Sequence, residues 1–243
     1  KTGGFEQLLT TEDTWMTARL ADFYGAESEK IDGFQKVRFQ PEHRAGIVSH
    51  PFLLSGYAYQ KTSSPIHRGV FLSRGILGRA LPSPPESVAP TPPDLAPDLT
   101  TRERVALQTS PAMCNNCHQM INSLGFVLEE FDATGRFRTT EKEKAIDATG
   151  VYRQRDGSLV EFRGAKELAA FLVKSQETHR SFSRQLFHHL VQQPVLSYGP
   201  ETLNQLTQFF ADHQFDMKHL MVQIAVVSAT QADQPTAVDT VAK

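Results

Sequence analysis

The 243-residue chain contains only two cysteines, which limits the metal and redox sites that it can build. A four-cysteine zinc site needs two C-x-x-C pairs. Both cysteines of this chain fall in a single pair, Cys114 and Cys117. A four-cysteine zinc site is therefore excluded, and the chemistry of this one pair has to be read from its neighbours.

Other absences remove whole classes of function. No run approaches the roughly 18 consecutive apolar residues that a transmembrane helix requires, so we expect no transmembrane segment. The net charge is −2 and the pI is near 6.5, without basic runs, so we expect no nucleic-acid partner. The chain has no glycine-rich phosphate loop and no G-x-S-x-G motif, which argues against a nucleotide enzyme or an α/β hydrolase.

Both cysteines belong to one continuous motif, Cys114-Asn115-Asn116-Cys117-His118. A C-x-x-C-H run is typical of covalent haem attachment, in which two thiols add to the haem vinyl groups and the histidine binds the iron. The motif predicts one covalently bound haem c held by Cys114, Cys117 and His118. A disulfide or thiol pair, and another kind of metal binding, are the alternatives.

Hydrophobic residues make up 40% of the chain, enough to bury a core, and their spacing is mostly helical. We predict a mainly α fold: a helical c-type-cytochrome-like haem domain with one small β-hairpin and a C-terminal helical bundle. Seven prolines between residues 82 and 97 indicate an extended linker. The predicted organisation is a helical segment at 1–81, this linker at 82–100, the haem-motif domain at 101–145, the hairpin with a helical module at 146–229, and a disordered tail at 230–243.

Several elements can be predicted individually. Residues 11–25 form an amphipathic pattern, and Ser64 followed by Pro65 is a typical helix start. The cysteine motif should begin a helix, followed after Gly125 by a second short helix at 126–131. Asp156 and Gly157 should form the turn of the hairpin. The predicted C-terminal helices are 167–174, 178–192, 201–212 and 216–228.

The run from Cys114 to Arg138, CNNCHQMINSLGFVLEEFDATGRFR, resembles the signature C-x-x-C-H-x-x-[MI]-D-P-x-G-F-x-[LF]-E-x-F-D-x-x-G-R-[WF]-R of the planctomycete-type cytochrome c domain family. These are large secreted haem-motif proteins whose domains have no assigned function. The resemblance continues upstream through LADFYG, RAGI and TSSPIHRGV, and downstream into the last helices. Asn122 and Ser123 stand where the family pattern has Asp-Pro.

The resemblance covers the carboxy-terminal part of the family's members, which begin far upstream of Lys1. It therefore implies a processed fragment or a diverged short subunit, and the segment at 1–81 as the remnant of a longer region. Since haem c is attached outside the bacterial cytoplasm, we expect a periplasmic or cell-surface location. Lys1-Thr2-Gly3-Gly4 show no charged segment followed by an apolar run, so we expect that a secretion signal was removed or that the chain is a piece of a longer one.

The sixth iron ligand and the haem propionates have candidates that spacing does not fix. Met221 and His67 are the proposed sixth ligands, although a methionine at helical spacing also packs in cores. Arg68, Arg136 and Arg138 are the proposed propionate partners. The structural alternative for these three arginines is pairing with Glu129, Glu130 or Asp132 to hold a turn.

Three functions from different classes remain at this point. The first is a mono-haem cytochrome that transfers electrons to a redox partner protein or within a larger complex. The second is a haem enzyme with an open iron position. The third is a structural or assembly subunit of an envelope complex, in which the motif carries haem or a disulfide. We favour an electron carrier over a catalyst.

Overall fold

The computed structural model describes residues 4–29, 31–82 and 97–231. Within these residues the chain is mainly helical, which confirms the predicted fold class. The helices are α1 (Phe5–Thr10), α2 (Ala18–Tyr24), α3 (Pro51–Gly56), α4 (Pro65–Val70), α5 (Thr101–Gln108), α6 (Ala112–Phe126), α7 (Gly164–Lys174), α8 (Gln176–Val191), α9 (Thr202–Asp212) and α10 (Met217–Gln231). A π-helical turn, Phe71–Ile76, follows α4. Most of the predicted linker (83–96) and tail (232–243) lie outside the described residues.

The strands form three two-stranded antiparallel sheets within the described residues, where the sequence predicted one hairpin. They are β1 (Asp13–Met16) with β2 (Gln35–Arg38), β3 (Thr140–Glu141) with β4 (Lys144–Ala145), and β5 (Thr149–Arg153) with β6 (Leu159–Arg163). Strands of two to five residues leave little periodicity for a sequence pattern to show. The β5–β6 hairpin is the predicted one, and residues 154–158 connect it rather than a two-residue turn.

The prediction of a helix at 11–25 is wrong for the residues before Ala18. Asp13 pairs with Arg38 and Met16 with Gln35 in the β1–β2 sheet, and α2 begins only at Ala18. Thr17 accepts a hydrogen bond from the backbone N–H of Leu20 at 3.4 Å and caps the helix. Ladder hydrogen bonds and the ion pair between Asp13 and Arg38 therefore outweigh the local helical spacing.

The chain divides into two compact units, and the larger comprises residues 9–172. At its centre α4 and α6 cross, and β5 packs against α6. The hairpin turns Tyr152 and Phe162 inward, with exposed fractions of 0% and 3%. Gly150 lies so close to α6 that a Cβ there would be 2.3 Å from the carbonyl oxygen of Ser123. The hairpin is thus part of the core rather than a surface appendage.

The short helix predicted at 126–131 does not form separately. α6 continues through Gly125 to Phe126 and is followed by hydrogen-bonded turns, in which Leu128 N–H donates to the carbonyl of Gly125. Gly125 lies within α6, where α4 packs closely against it. The segment that follows is buried, including Val127, Leu128 and Phe131.

The smaller unit comprises, among the described residues, 4–8 and 173–231. It contains α8, α9 and α10, which form the predicted C-terminal helical bundle. Phe5 packs against the rings of Phe182 and Phe210 at centroid distances of 4.9 and 5.6 Å. The domain boundaries inferred from the sequence stay predictions.

Within the described part of the chain, every helix is too short or too polar to cross a membrane.

Candidate haem-attachment site

The C-x-x-C-H motif lies in the first two turns of α6. The carbonyl oxygen of Pro111 accepts hydrogen bonds from the backbone N–H groups of Cys114 and Asn115, both at 2.9 Å, and so closes the first turn. Residues three apart on a helix share a face, so Cys114 and Cys117 lie on the same side of α6. Both are free thiols of intermediate burial. His118 follows at once and is half-buried.

No three histidine, cysteine, aspartate or glutamate side chains in the described ranges converge closely enough to hold a metal ion. A zinc site would require such convergence. Covalent haem attachment does not, because the two thiols bond to carbon atoms of the haem and only the histidine binds iron. The geometry of the motif is compatible with that chemistry.

His118 is held by a chain of side-chain hydrogen bonds. Its Nδ1 lies 3.1 Å from Oδ1 of Asn122, one helical turn further along α6. Nδ2 of Asn122 donates to Oγ1 of Thr109 at 2.7 Å, and that hydroxyl donates to the carbonyl of Val105 at 2.8 Å. Ligating histidines are oriented by a hydrogen bond to the ring nitrogen that does not bind the metal. The sequence motif did not predict Asn122 and Thr109 as site residues, although the i, i+4 spacing from His118 to Asn122 is a usable signal.

α6 has two parts that differ in exposure. We call residues 112–120 the attachment half and residues 121–126 the packed half. Met113, in the attachment half, is 75% exposed, whereas Ile121 and Leu124, in the packed half, are 5% and 0% exposed. The thiols and His118 thus project from a helix that is anchored at its other end.

The anchor is a crossing of α4 over the packed half. A Cβ on Gly69 would lie 1.9 Å from the carbonyl oxygen of Ile121, and a Cβ on Gly125 would lie 1.9 Å from that of Pro65. Real Cβ atoms do not approach oxygen so closely, so both positions require glycine. The two helices run antiparallel at this crossing, since Pro65 meets Gly125 while Gly69 meets Ile121.

This antiparallel course leads the chain after α4 toward the attachment half. The π-helical turn, Phe71–Ile76, contacts α6. It is anchored by Ser73, whose hydroxyl donates to the carbonyl of Gly69 at 2.7 Å. π-helical turns occur often at functional sites. No sequence pattern predicted this one, because Ser64 and Pro65 mark only the start of the helix.

The residues of the attachment half fit a covalent haem. Two free thiols share one face, the adjacent histidine has Nδ1 engaged, and Met113 adds an apolar side chain that is 75% exposed. The faces of a haem are largely apolar, so such a surface is suited to it. His118 would hold the iron, and the haem would supply a one-electron iron couple.

Arg68 is completely buried under the end of α6. Its guanidinium donates to the backbone carbonyls of Leu128, Phe131 and Asp132 at 2.9, 2.7 and 2.7 Å. It also lies 3.7 Å from the carboxylate of Glu129. Burial lowers the pKa of Arg68 to about 10, against the opposing effect of Glu129. These contacts are those of the structural alternative, and a propionate contact by Arg68 stays a prediction.

Glu129 and Arg138 extend this buried cluster. Burial raises the pKa of the Glu129 carboxyl, while Arg68 and Arg138 act in the opposite direction. Arg138 lies 3.4 Å from Glu129 and 3.3 Å from Glu141. Its pairing with Glu129 is likewise the structural alternative.

Arg136 lies elsewhere on the larger unit. Its guanidinium sits over the ring of Phe23 at 5.0 Å and borders a cavity of about 250 Å³ that is also lined by His43 and Phe137. It is exposed. A propionate contact by Arg136 or Arg138 also stays a prediction.

The two proposed sixth ligands belong to different units. His67 lies on α4 in the larger unit, where its exposed ring is 5.2 Å from that of Tyr59. Met221 lies on α10 in the smaller unit and is 38% exposed. Both assignments stay predictions. What the structure brings together is the set Cys114, Cys117 and His118, supported by Asn122 and Thr109.

The site falls within a segment that matches a known protein family. Residues 44–141 match the family described as PSCyt3, protein of unknown function (DUF1588). This range includes α4, the π-helical turn, α5 and the whole of α6. Comparisons with curated proteins and with solved structures gave no significant match. This match confirms, for residues 44–141, the resemblance to the planctomycete-type cytochrome c domain family.

Proposed function

We propose that this chain carries one covalent haem c on α6 and transfers single electrons outside the cytoplasm. The observation that carries this proposal is the arrangement of the attachment half. Two free thiols lie on one face beside a histidine whose Nδ1 is already hydrogen-bonded. A histidine held in this way offers its other ring nitrogen, Nε2, to iron.

The two cysteine thiols are sufficient for attachment of one haem through its two vinyl groups. Each cysteine S–H adds across one vinyl group of the haem, so that a C–S and a C–H bond form and no atom is lost. No oxidant is needed, which distinguishes this reaction from disulfide formation. Electron transfer then needs no further catalytic side chain.

The exposed position of the motif supports a partner that approaches the haem edge. Met113, next to Cys114, is 75% exposed, and an apolar side chain beside a redox centre suits a transient protein contact. The partner is a redox protein or a neighbouring subunit of a larger complex. The location is the periplasm or the cell surface, because haem c is attached there.

A visible spectrum tests the proposal. The full chain, produced with a haem c maturation system, should show a sharp α band after reduction. The double variant Cys114→Ala, Cys117→Ala should lack this band once haem has been extracted under denaturing conditions. A wild-type chain without bound haem would contradict the proposal.

Carbon monoxide separates the electron carrier from the haem enzyme. If the chain is an electron carrier in which a second side chain also binds the iron, the spectrum of the reduced, haem-loaded protein should not change on adding the gas. Rapid formation of a carbon monoxide complex would indicate an open iron position and favour an enzyme.

A further inference from the structure

We infer that Asn122 is the positioning residue of the proposed iron ligand, His118. Its side-chain amide is a neutral hydrogen-bond acceptor that keeps the proton of the His118 ring on Nδ1 and fixes the orientation of the ring. This inference rests on the proposed function, since it concerns the haem-loaded protein. It goes further by naming the residue that sets the electron-donating strength of the ligand.

The direction of each hydrogen bond follows from the last group of the series, the Val105 carbonyl, which can only accept. The Thr109 hydroxyl has one proton and donates it to the carbonyl of Val105 at 2.8 Å. It must then accept from Asn122, and only the Nδ2 side of an amide can donate, at 2.7 Å. Oδ1 of Asn122 consequently faces His118 at 3.1 Å and accepts the proton of Nδ1. The lone pair of the ring is left on Nε2, which is the nitrogen that binds iron.

Burial makes this arrangement persistent. Asn122 and Thr109 are 7% and 6% exposed, so water competes little for their hydrogen bonds. Thr109 ends α5, where its own N–H donates to the same Val105 carbonyl at 3.0 Å. At the start of α5, Thr100 and Glu103 form a reciprocal capping box. Two helices thus hold the amide in one orientation.

The reduction potential of the iron would depend on the neutral charge of the Asn122 amide. A carboxylate at this position would accept the Nδ1 proton more strongly, make the imidazole more electron-donating, and stabilise Fe(III) over Fe(II). A carboxylate also has no N–H for Thr109. Asn122 therefore keeps the ligand a weaker donor and the reduction potential higher than Asp would.

Ser123 provides the matched control. It is the next residue on α6, but its hydroxyl accepts the backbone N–H of Val151 at 2.5 Å and so holds β5 rather than His118. Substitution of Ser123 changes the packing of the same helical turn without touching the ligand. A purely structural effect would appear in both variants.

The test compares the midpoint potentials of haem-loaded wild type, Asn122→Asp and Ser123→Ala, each as the full chain. For Asn122→Asp we expect the Fe(III) to Fe(II) ratio at a given potential to rise about tenfold, equivalent to a shift of about 59 mV to lower potential for one electron. Ser123→Ala should keep the wild-type potential. Equal potentials in wild type and Asn122→Asp, or the same shift in Ser123→Ala, would overturn the inference. Absence of haem from the wild type would instead contradict the proposed function.

A second measurement needs no variant to fold. In the reduced wild-type protein, NMR should show a His118 Nδ1 proton that exchanges slowly with D₂O and lies close to the Asn122 amide. An Nδ1 proton that exchanges as fast as that of an exposed histidine would also overturn the inference.

Discussion

The packed half of α6 and its attachment half differ in what surrounds the same helix. The packed half is crossed so closely by α4 that Gly69 and Gly125 admit no side chain. The attachment half carries exposed or half-buried side chains, among them both cysteines. The C-terminal end of α6 is therefore packed in the core of the larger unit, whereas its N-terminal end is accessible to a covalently attached group.

A side-chain hydrogen bond links the two halves of this continuous helix. His118 belongs to the attachment half and Asn122 to the packed half, and the bond between them spans one helical turn. Because Asn122 is buried in the core, its hydrogen bond restricts the orientation of His118, the proposed iron ligand. This division predicts that substitutions in the packed half lower the stability of the fold, whereas substitutions of the cysteines in the attachment half prevent haem attachment with little effect on stability.

The largest expected effect comes from Arg68, which supports the segment after the packed half. Arg68→Met would leave three backbone carbonyls buried without their donor, and it would remove the cation 3.7 Å from the buried Glu129 carboxylate, which keeps Arg138. Removing one partner of a buried ion pair costs about 3–5 kcal/mol. Urea unfolding of the haem-free chain should show this loss. Arg136→Met, at an exposed arginine, should change stability by less than about 0.5 kcal/mol, and equal losses in the two variants would contradict the comparison.

Gly125→Ala should have the next largest effect, because the new methyl group would meet the Pro65 carbonyl oxygen at 1.9 Å. We expect a loss of about 1–3 kcal/mol or more in the free energy of unfolding. Gly56→Ala is the matched control, since a Cβ there meets nothing within 4 Å. A Gly125→Ala protein as stable as Gly56→Ala would show that the crossing is not tight.

The attachment half should contribute little to stability by itself. In the haem-free chain, replacing both Cys114 and Cys117 with alanine should alter the free energy of unfolding by less than about 0.5 kcal/mol. The reason is that both side chains are only partly buried and unpaired. A loss comparable to that of Gly125→Ala would mean that the cysteines are core residues and would remove the distinction between the two halves.

The smallest effect depends on pH and involves the start of α5, the helix that supplies Thr109. Hydrogen bonds from Lys144 and from the backbone of Thr100 lower the pKa of the Glu103 carboxyl from 4.5 to about 2. A depressed pKa stabilises the folded state above about pH 4.5, and this contribution is lost as the pH falls toward 2. Unfolding midpoints measured from pH 5 to pH 2 should fall less steeply for Glu103→Gln than for wild type. Identical slopes would count against this contribution.

Much of the fold could be predicted because its signals are local. Ser64 and Pro65 start α4 as expected, α6 begins around the cysteines, and Gly157 marks the β5–β6 connection with a φ of +89°. The three residues Cys114, Cys117 and His118 could be named because their chemistry depends on neighbours in sequence.

The remaining features depend on contacts between distant residues. β1 exists because Asp13–Met16 pairs with residues some twenty positions later, which helical spacing cannot reveal. The sequence made Arg68 a candidate for binding an anionic ligand, yet three of its hydrogen bonds go to carbonyls 60 to 64 residues away in sequence. A fourth, at 3.3 Å, goes to the carbonyl of Leu54. Thr109 could not be linked to His118 without knowing how α5 packs against α6.

Intact-mass spectrometry of the full chain tests the central claim most directly. After production with a haem c maturation system and denaturation in acid, the wild-type protein should carry the added mass of one haem. Proteolysis should place that mass on the peptide that contains Cys114 and Cys117, and the double alanine variant should lack it. A denatured wild-type chain with the mass of the polypeptide alone, or of a Cys114–Cys117 disulfide, would contradict the account.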